Sequence, residues 1–270
     1  LDTLFGLIWL KNKYNNLKIV IEYPLTINNK LEKYYKKIGI FVNWKIDFSN
    51  IQIMWSYQKI IYPTYFDTFF ENINLNDYRF LIIPIGIDIS NEKNYSHANI
   101  LIWDTKNKVI ERFEPHGANH PISFNYNPEL LDKLLENKFK QIDENIKYFK
   151  PKEYLPIISF EVLENLEEEK CKRIGDPNGF CNLWCIWWCN QKFKYPNIKS
   201  EELAKKLIKT IKMDGKKFRN VIRNFSKNIT EFRDNYLKKY KIDINDWIVN
   251  NYNDNIINNL EKDILELIEN

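Results

Sequence analysis

No apolar run in this 270-residue chain approaches the length needed to cross a bilayer, so a membrane span is not expected. Leu4–Leu10 is apolar but short, and it lacks the basic leader and small-residue cleavage site of a secretory signal. Cysteine is sparse: there are four, three of them recurring at every fourth position of one helical pattern, which does not suit the loop-closing pairs of a disulfide scaffold. An intracellular, reducing compartment is therefore expected. No phosphate-cradling glycine loop, Cys-x2-Cys knuckle, internal repeat or low-complexity linker occurs in the sequence. Charge of one sign is lacking too: 40 basic against 36 acidic side chains leave a formal net charge of +4, too mild to imply nucleic acid. The densest basic stretch, Lys205, Lys206, Lys209 and Lys212, alternates with apolar residues as the wet face of an amphipathic helix does.

What is abundant is apolar and aromatic surface. With 44% hydrophobic and 15% aromatic residues, the chain is expected to fold as a soluble globule with one substantial core, or a core plus an accessory region. Disorder is excluded despite the many Asn and Lys residues. Leu31–Lys37 reads as helix and Ile51–Tyr57 as strand, while the continuous apolar run Tyr78–Asp88 has the character of a central buried strand. Residues 128–147 read as a surface helix, and 200–270 as two or three helices. The expected class is α+β. Three regions are expected: 1–75 as an accessory part of the unit, 76–195 as its core, and 196–270 as a helical C-terminal extension.

The chemistry concentrates in that middle region. Asp176-Pro-Asn-Gly-Phe-Cys181 runs into the apolar pattern Leu183-Trp-Cys-Ile-Trp-Trp188, which places Cys181 at a helix N-terminus after a glycine turn. Unpaired backbone N–H groups and the positive end of the helix dipole favour an anion there, and thiolate is the nucleophilic form of cysteine. Cys185 and Cys189, one and two turns on, read as packed core sulfurs. Upstream, His97–Asp104 and Val109–Glu114 read as two strands of a hairpin. With Lys106-Asn107 as its turn, His97 faces His116 directly and Glu114 is its diagonal neighbour on the same sheet face. A carboxylate beside an imidazole can hold one tautomer and stabilise the imidazolium formed when histidine takes a cysteine proton. Asp104 is the second-choice acid, at the far end of the hairpin.

Metal binding is the rival use of these residue types. His116-x3-His120 and the Cys181/Cys185/Cys189 series supply zinc ligands, but Pro121 and Gly117 keep the two histidines off a common helix face. Neither a metal nor a cofactor is expected.

In the order His97, Glu114, Cys181, and in the strings Ser96–Asp104, Glu111–Gly117 and Asp176–Cys181, the chain resembles the Ulp1/adenain-like cysteine proteases, over roughly residues 78–193. The strings look most like uncharacterised giant-DNA-virus members, and the Asn-, Lys-, Ile- and Tyr-rich composition looks like AT-rich coding. The resemblance implies a papain-like fold with a central mixed sheet, the nucleophile helix packed on it, and no cofactor. The implied activity is thiol proteolysis, with ubiquitin or another ubiquitin-like protein as partner. The alternatives are processing of a viral precursor protein, in host cytoplasm or virion, and an inactive module that only binds a ubiquitin-like protein. Oligomeric state is not legible.

Asp176 stands where the family carries a glutamine that donates to the oxyanion, and an ionised carboxylate can only accept. Asn178 has the donor chemistry, and the Cys181 backbone N–H can contribute. Asp176 could equally cap the helix or bind a turn N–H. Trp55, Trp103 or Trp184 could wall a narrow substrate groove, or could simply be core.

Overall fold

The computed structural model describes residues 1–40, 46–88, 96–121, 124, 126–167, 179–244, 247 and 252–269. Among these, seven strands form one mixed sheet: β1 (Leu17–Ile19), β2 (Ile53–Ser56), β3 (Lys59–Ile61), β4 (Phe80–Asp88), β5 (Ser96–Asp104), β6 (Val109–Phe113) and β7 (Lys147–Phe149). The order is β3-β2-β4-β5-β6-β7, with β1 pairing beside β2 on β4. The helices are α1 (Asp2–Lys13), α2 (Asn29–Lys37), α3 (Phe66–Asn72), α4 (Pro128–Ile142), α5 (Pro151–Tyr154), α6 (Phe160–Leu166), α7 (Cys181–Lys194), α8 (Ser200–Met213), α9 (Phe218–Lys238) and α10 (Asp254–Glu269). The α+β class, the central mixed sheet, the Cys181 helix lying against it and the helical C-terminal region are all as expected. One helix end and one strand differ in a way that bears on the sheet. The helix expected to run to 147 ends at Ile142, and Lys147–Phe149 turns back as β7, parallel to β6.

Strand β4 lies in the middle because both of its faces are covered, which is why its sequence is a continuous apolar run. Phe80 and Ile82 face one core, shared with Ala98, Ile100 and Ile102 of β5. Leu81, Ile83, Ile85 and Ile87 face the other, shared with Leu101 and Trp103. The second core is closed by α3 and α4, through Phe66, Leu131, Leu135 and Phe139. The first is closed by α7 and, outside it, by α1 and α9.

Helix α7 buries Leu183 through Asn190 without a break, and a helix apolar all round belongs inside a protein. Gly6 is where α1 comes closest, for a Cβ there would sit 2.9 Å from Cγ1 of Ile186. Phe5 of α1 packs its ring on Tyr236 of α9, and Asp2 pairs with Arg233. At the other end of α7, Lys192 donates to Ser200 (2.5 Å), whose hydroxyl in turn reaches Glu111 of β6 (2.5 Å), tying that end to the sheet.

The β5–β6 hairpin has the expected register, with Ile100 opposite Phe113 and Asp104 opposite Val109. Its connection is four residues, 105–108, rather than the two-residue Lys106-Asn107 turn. The register survives because both turns share one midpoint. Asp104 accounts for the longer turn by accepting from Asn107 N (3.2 Å) and Nδ2 (2.8 Å), and Lys108 takes a φ of 52°.

Candidate active site

Three elements meet at one end of the sheet. His97 is the second residue of β5, Glu114 follows the last residue of β6, and Cys181 is the first residue of α7. Nε2 of His97 lies 2.7 Å from Oε1 of Glu114, and Cys181 stands close enough to the same imidazole to help raise its pKa. Since Nε2 is taken by the carboxylate, Nδ1 is the nitrogen left for sulfur. The three side chains that the sequence singles out are thus brought into one chain of contacts.

Burial sets the electrostatics. It disfavours the His97 imidazolium, but the Glu114 carboxylate and the hydrogen bonds to Cys181 and Glu114 outweigh it and raise His97 well above its ordinary 6.5. Glu114 is pushed up by burial, yet the His97 charge and hydrogen bond, with Arg112 and His116 nearby, hold it down to about 2.

Both oxygens of Glu114 are fully engaged. Oε1 also accepts from His116 N (3.0 Å), while Oε2 accepts from Asn99 Nδ2 (2.9 Å) and the Tyr126 hydroxyl (2.9 Å). Asn99 accepts in turn from Arg112, whose Nε and Nη2 grip Asp132 of α4 at 2.7 and 2.8 Å. Tyr148 donates to the same Asp132 at 2.8 Å. A cavity of about 670 Å³ reaches this network at Arg112, Tyr126 and Asp132. Asn99 and Arg112 lie on the same sheet face as His97 and Glu114, so alternation along the hairpin could have revealed them. Asp132 and Tyr126 carried no such signal.

Cys181 is half-buried, whereas Cys185 and Cys189 are buried core sulfurs, as expected. Phe180 caps α7 without any side-chain hydrogen bond, so the first-turn N–H groups keep no capping partner from that side chain. Arg219 of α9 lies over the Phe180 ring at 5.5 Å and pairs with Glu164 of α6, which accepts from Trp184 Nε1 at 3.2 Å. Asp176 and Asn178 lie outside the described residues.

Other expectations are redirected. Trp55, Trp103 and Trp184 are at most 1% exposed and belong to the two cores, so none of them walls a groove. Large aromatic rings facing a covered sheet are drawn inward by the area they bury. Asp104 sits seven residues along β5 from His97, beside Arg79 at 3.7 Å. The described His and acidic side chains that converge as metal ligands are His97, His116 and Glu161, within 4.8 Å of one another, rather than His116 with His120 or the cysteine series. His120 packs on Tyr126 instead.

No family model matches the chain. It is 41% identical, over 99% of its length, to a putative ankyrin repeat protein of Acanthamoeba polyphaga mimivirus, of which it spans 35%. Among solved structures it is similar to ChlaDub1 of Chlamydia trachomatis, with 13% identity, a TM-score of 0.41 and coverage of 86% of this chain and 89% of that one. It is also similar to the Chlamydia trachomatis effector Cdu1 bound to ubiquitin, with 13% identity, a TM-score of 0.36 and coverage of 82% and 92%. No helix among the described residues is long and apolar enough to cross a membrane.

Proposed function

We propose that the chain is a thiol protease that cleaves the peptide or isopeptide bond at the C-terminus of a ubiquitin-like modifier, with Cys181 as nucleophile, His97 as base and Glu114 as orienter. The observation that carries this reading is the buried Glu114–His97 pair with the half-buried Cys181 beside the same imidazole. Its order and strings are those of the Ulp1/adenain-like resemblance. His97 takes the thiol proton, and the sulfur attacks the carbonyl carbon to give a tetrahedral oxyanion. Collapse breaks the C–N bond, the amine leaves with the proton from His97, and a thioester remains. Water, deprotonated by His97, hydrolyses it and frees Cys181. The Cys181 backbone N–H, at the start of α7, donates to the oxyanion, with Asn178 as the side-chain donor and Asp176 as an acceptor for a backbone N–H.

The test is reaction of the full chain with ubiquitin and SUMO probes bearing a C-terminal electrophile, beside Cys181→Ala. The expected result is a covalent adduct at Cys181, absent in the variant. Tight binding of a probe without an adduct would instead identify an inactive binding module.

A second reading, cleavage of a viral precursor protein, is favoured by the mimivirus relative. It uses the same three residues. Cleavage of peptide libraries with no adduct from either probe would select it, and silence in both assays would remove the hydrolase reading.

A further inference from the structure

Beside the triad, and outside it, stands a second pair of titratable groups. The His116 ring packs edge-on against His97, with centroids 5.3 Å apart, and its Nε2 lies 3.3 Å from Oε2 of Glu161 at the start of α6. The Glu161 side chain is 4% exposed, and its Oε2 is buried without a hydrogen-bond partner among the described residues. An acceptor in that position normally draws an aligned N–H, because leaving a buried carboxylate oxygen unbonded is costly. Here the contact is close but unaligned, so among the described residues the oxygen keeps a lone pair to offer. One ring nitrogen of His97, one of His116 and one oxygen of Glu161 all lie within 4.8 Å of one another. Two imidazoles and a carboxylate are a donor set that zinc takes, and ligand atoms around a tetrahedral zinc stand roughly 3.4 Å apart. The His116–Glu161 pair is already at that spacing.

We infer that His97, His116 and Glu161 form a binding site for one zinc ion, which occupies the site reversibly and silences the triad. Glu114, hydrogen-bonded to His97, supplies the carboxylate support that zinc-bound histidines generally have. His116, whose side chain is 15% exposed, is the side of the site open to solvent. Gly179, two residues before Cys181, adjoins it, since a Cβ there would stand 3.3 Å from Oε1 of Glu161. A neutral imidazole has one lone pair to give. An ion that takes it from His97 leaves none for the Cys181 proton, whichever nitrogen it uses. Binding rests on the geometry alone, whereas the silencing rests on the hydrolase reading.

The experiment uses the full chain, stripped with chelator and titrated with zinc chloride against a chromogenic chelator, with magnesium as a control. One zinc equivalent should bind and no magnesium. His116→Gln and Glu161→Gln, each checked for folding by circular dichroism, should bind it at least about tenfold more weakly. If Glu161→Gln does not fold, the partly exposed His116→Gln carries the comparison. Absence of stoichiometric zinc binding, or equal affinity in the folded variants, overturns the site. Zinc should also slow the adduct reaction of the wild type, with recovery on adding chelator. Binding without slowing overturns the silencing. No adduct even in zinc-free protein counts against the ubiquitin-like substrate, leaves the titration intact, and moves the slowing test to peptide cleavage.

Discussion

The imidazole of His97 and the carboxylate of Glu114 form a contact only 2% exposed on either side, at the end of two strands whose register fixes their offset. Glu114→Gln preserves shape and removes the charge that stabilises an imidazolium. The expected result is a fall in turnover of about a hundredfold or more, with the circular dichroism of the native protein. Turnover within a few-fold of wild type would show that Glu114 plays no orienting part.

Tyr126 supplies one of the four hydrogen bonds that hold Glu114. Tyr126→Phe deletes only that hydroxyl. Because the acceptor is ionised, urea unfolding should show a loss of about 1.5–3 kcal/mol. No loss would mean that the remaining donors already satisfy the carboxylate.

Gly117 carries the chain past the site at φ 122°, and a Cβ there would lie 2.5 Å from the Pro156 carbonyl and 2.7 Å from that of Ile157. Both obstacles are backbone and cannot swing aside. Gly117→Ala should cost roughly 2 kcal/mol or more, read by urea unfolding, and should displace the neighbouring His116. Wild-type stability in the variant would refute the close approach.

Burial pushes the Glu164 carboxyl up to about 6 from its ordinary 4.5, against the hydrogen bond from Trp184 and the charge of Arg219. Between those two values the folded chain holds a proton that the unfolded chain has released, so its stability falls as pH rises from about 4.5 to about 6 and then levels off. Glu164→Gln lacks this dependence. The stability difference, wild type minus variant, should therefore decline across the interval by something on the order of 2 kcal/mol in thermal unfolding. A difference that instead rises with pH would mean that Arg219 and Trp184 outweigh burial at this carboxyl.

Local pattern made the hairpin, the buried strand and the start of α7 legible. Alternation and turn position decide which residues of β5 and β6 face each other, so His97 and Glu114 could be paired before any coordinates. Pairing between distant segments was not legible: β1, β2 and β7 are short parallel partners that acquire their places only when the sheet assembles. Glu161 was missed for the same reason, since nothing in its helix marks it as a neighbour of His116. The tryptophans misled in the opposite sense, because a ring suited to a groove wall and one suited to a core are the same residue in sequence.

Helices α1 and α9, one from before the sheet and one from after the Cys181 helix in sequence, both cover that helix. A fragment excised at 76–195 would leave Trp184 and Ile186 without that roof, and water would reach the scaffold of the thiol before the thiol itself was touched. Protease nicks in α1 or α9 should thus disable the protein from a distance.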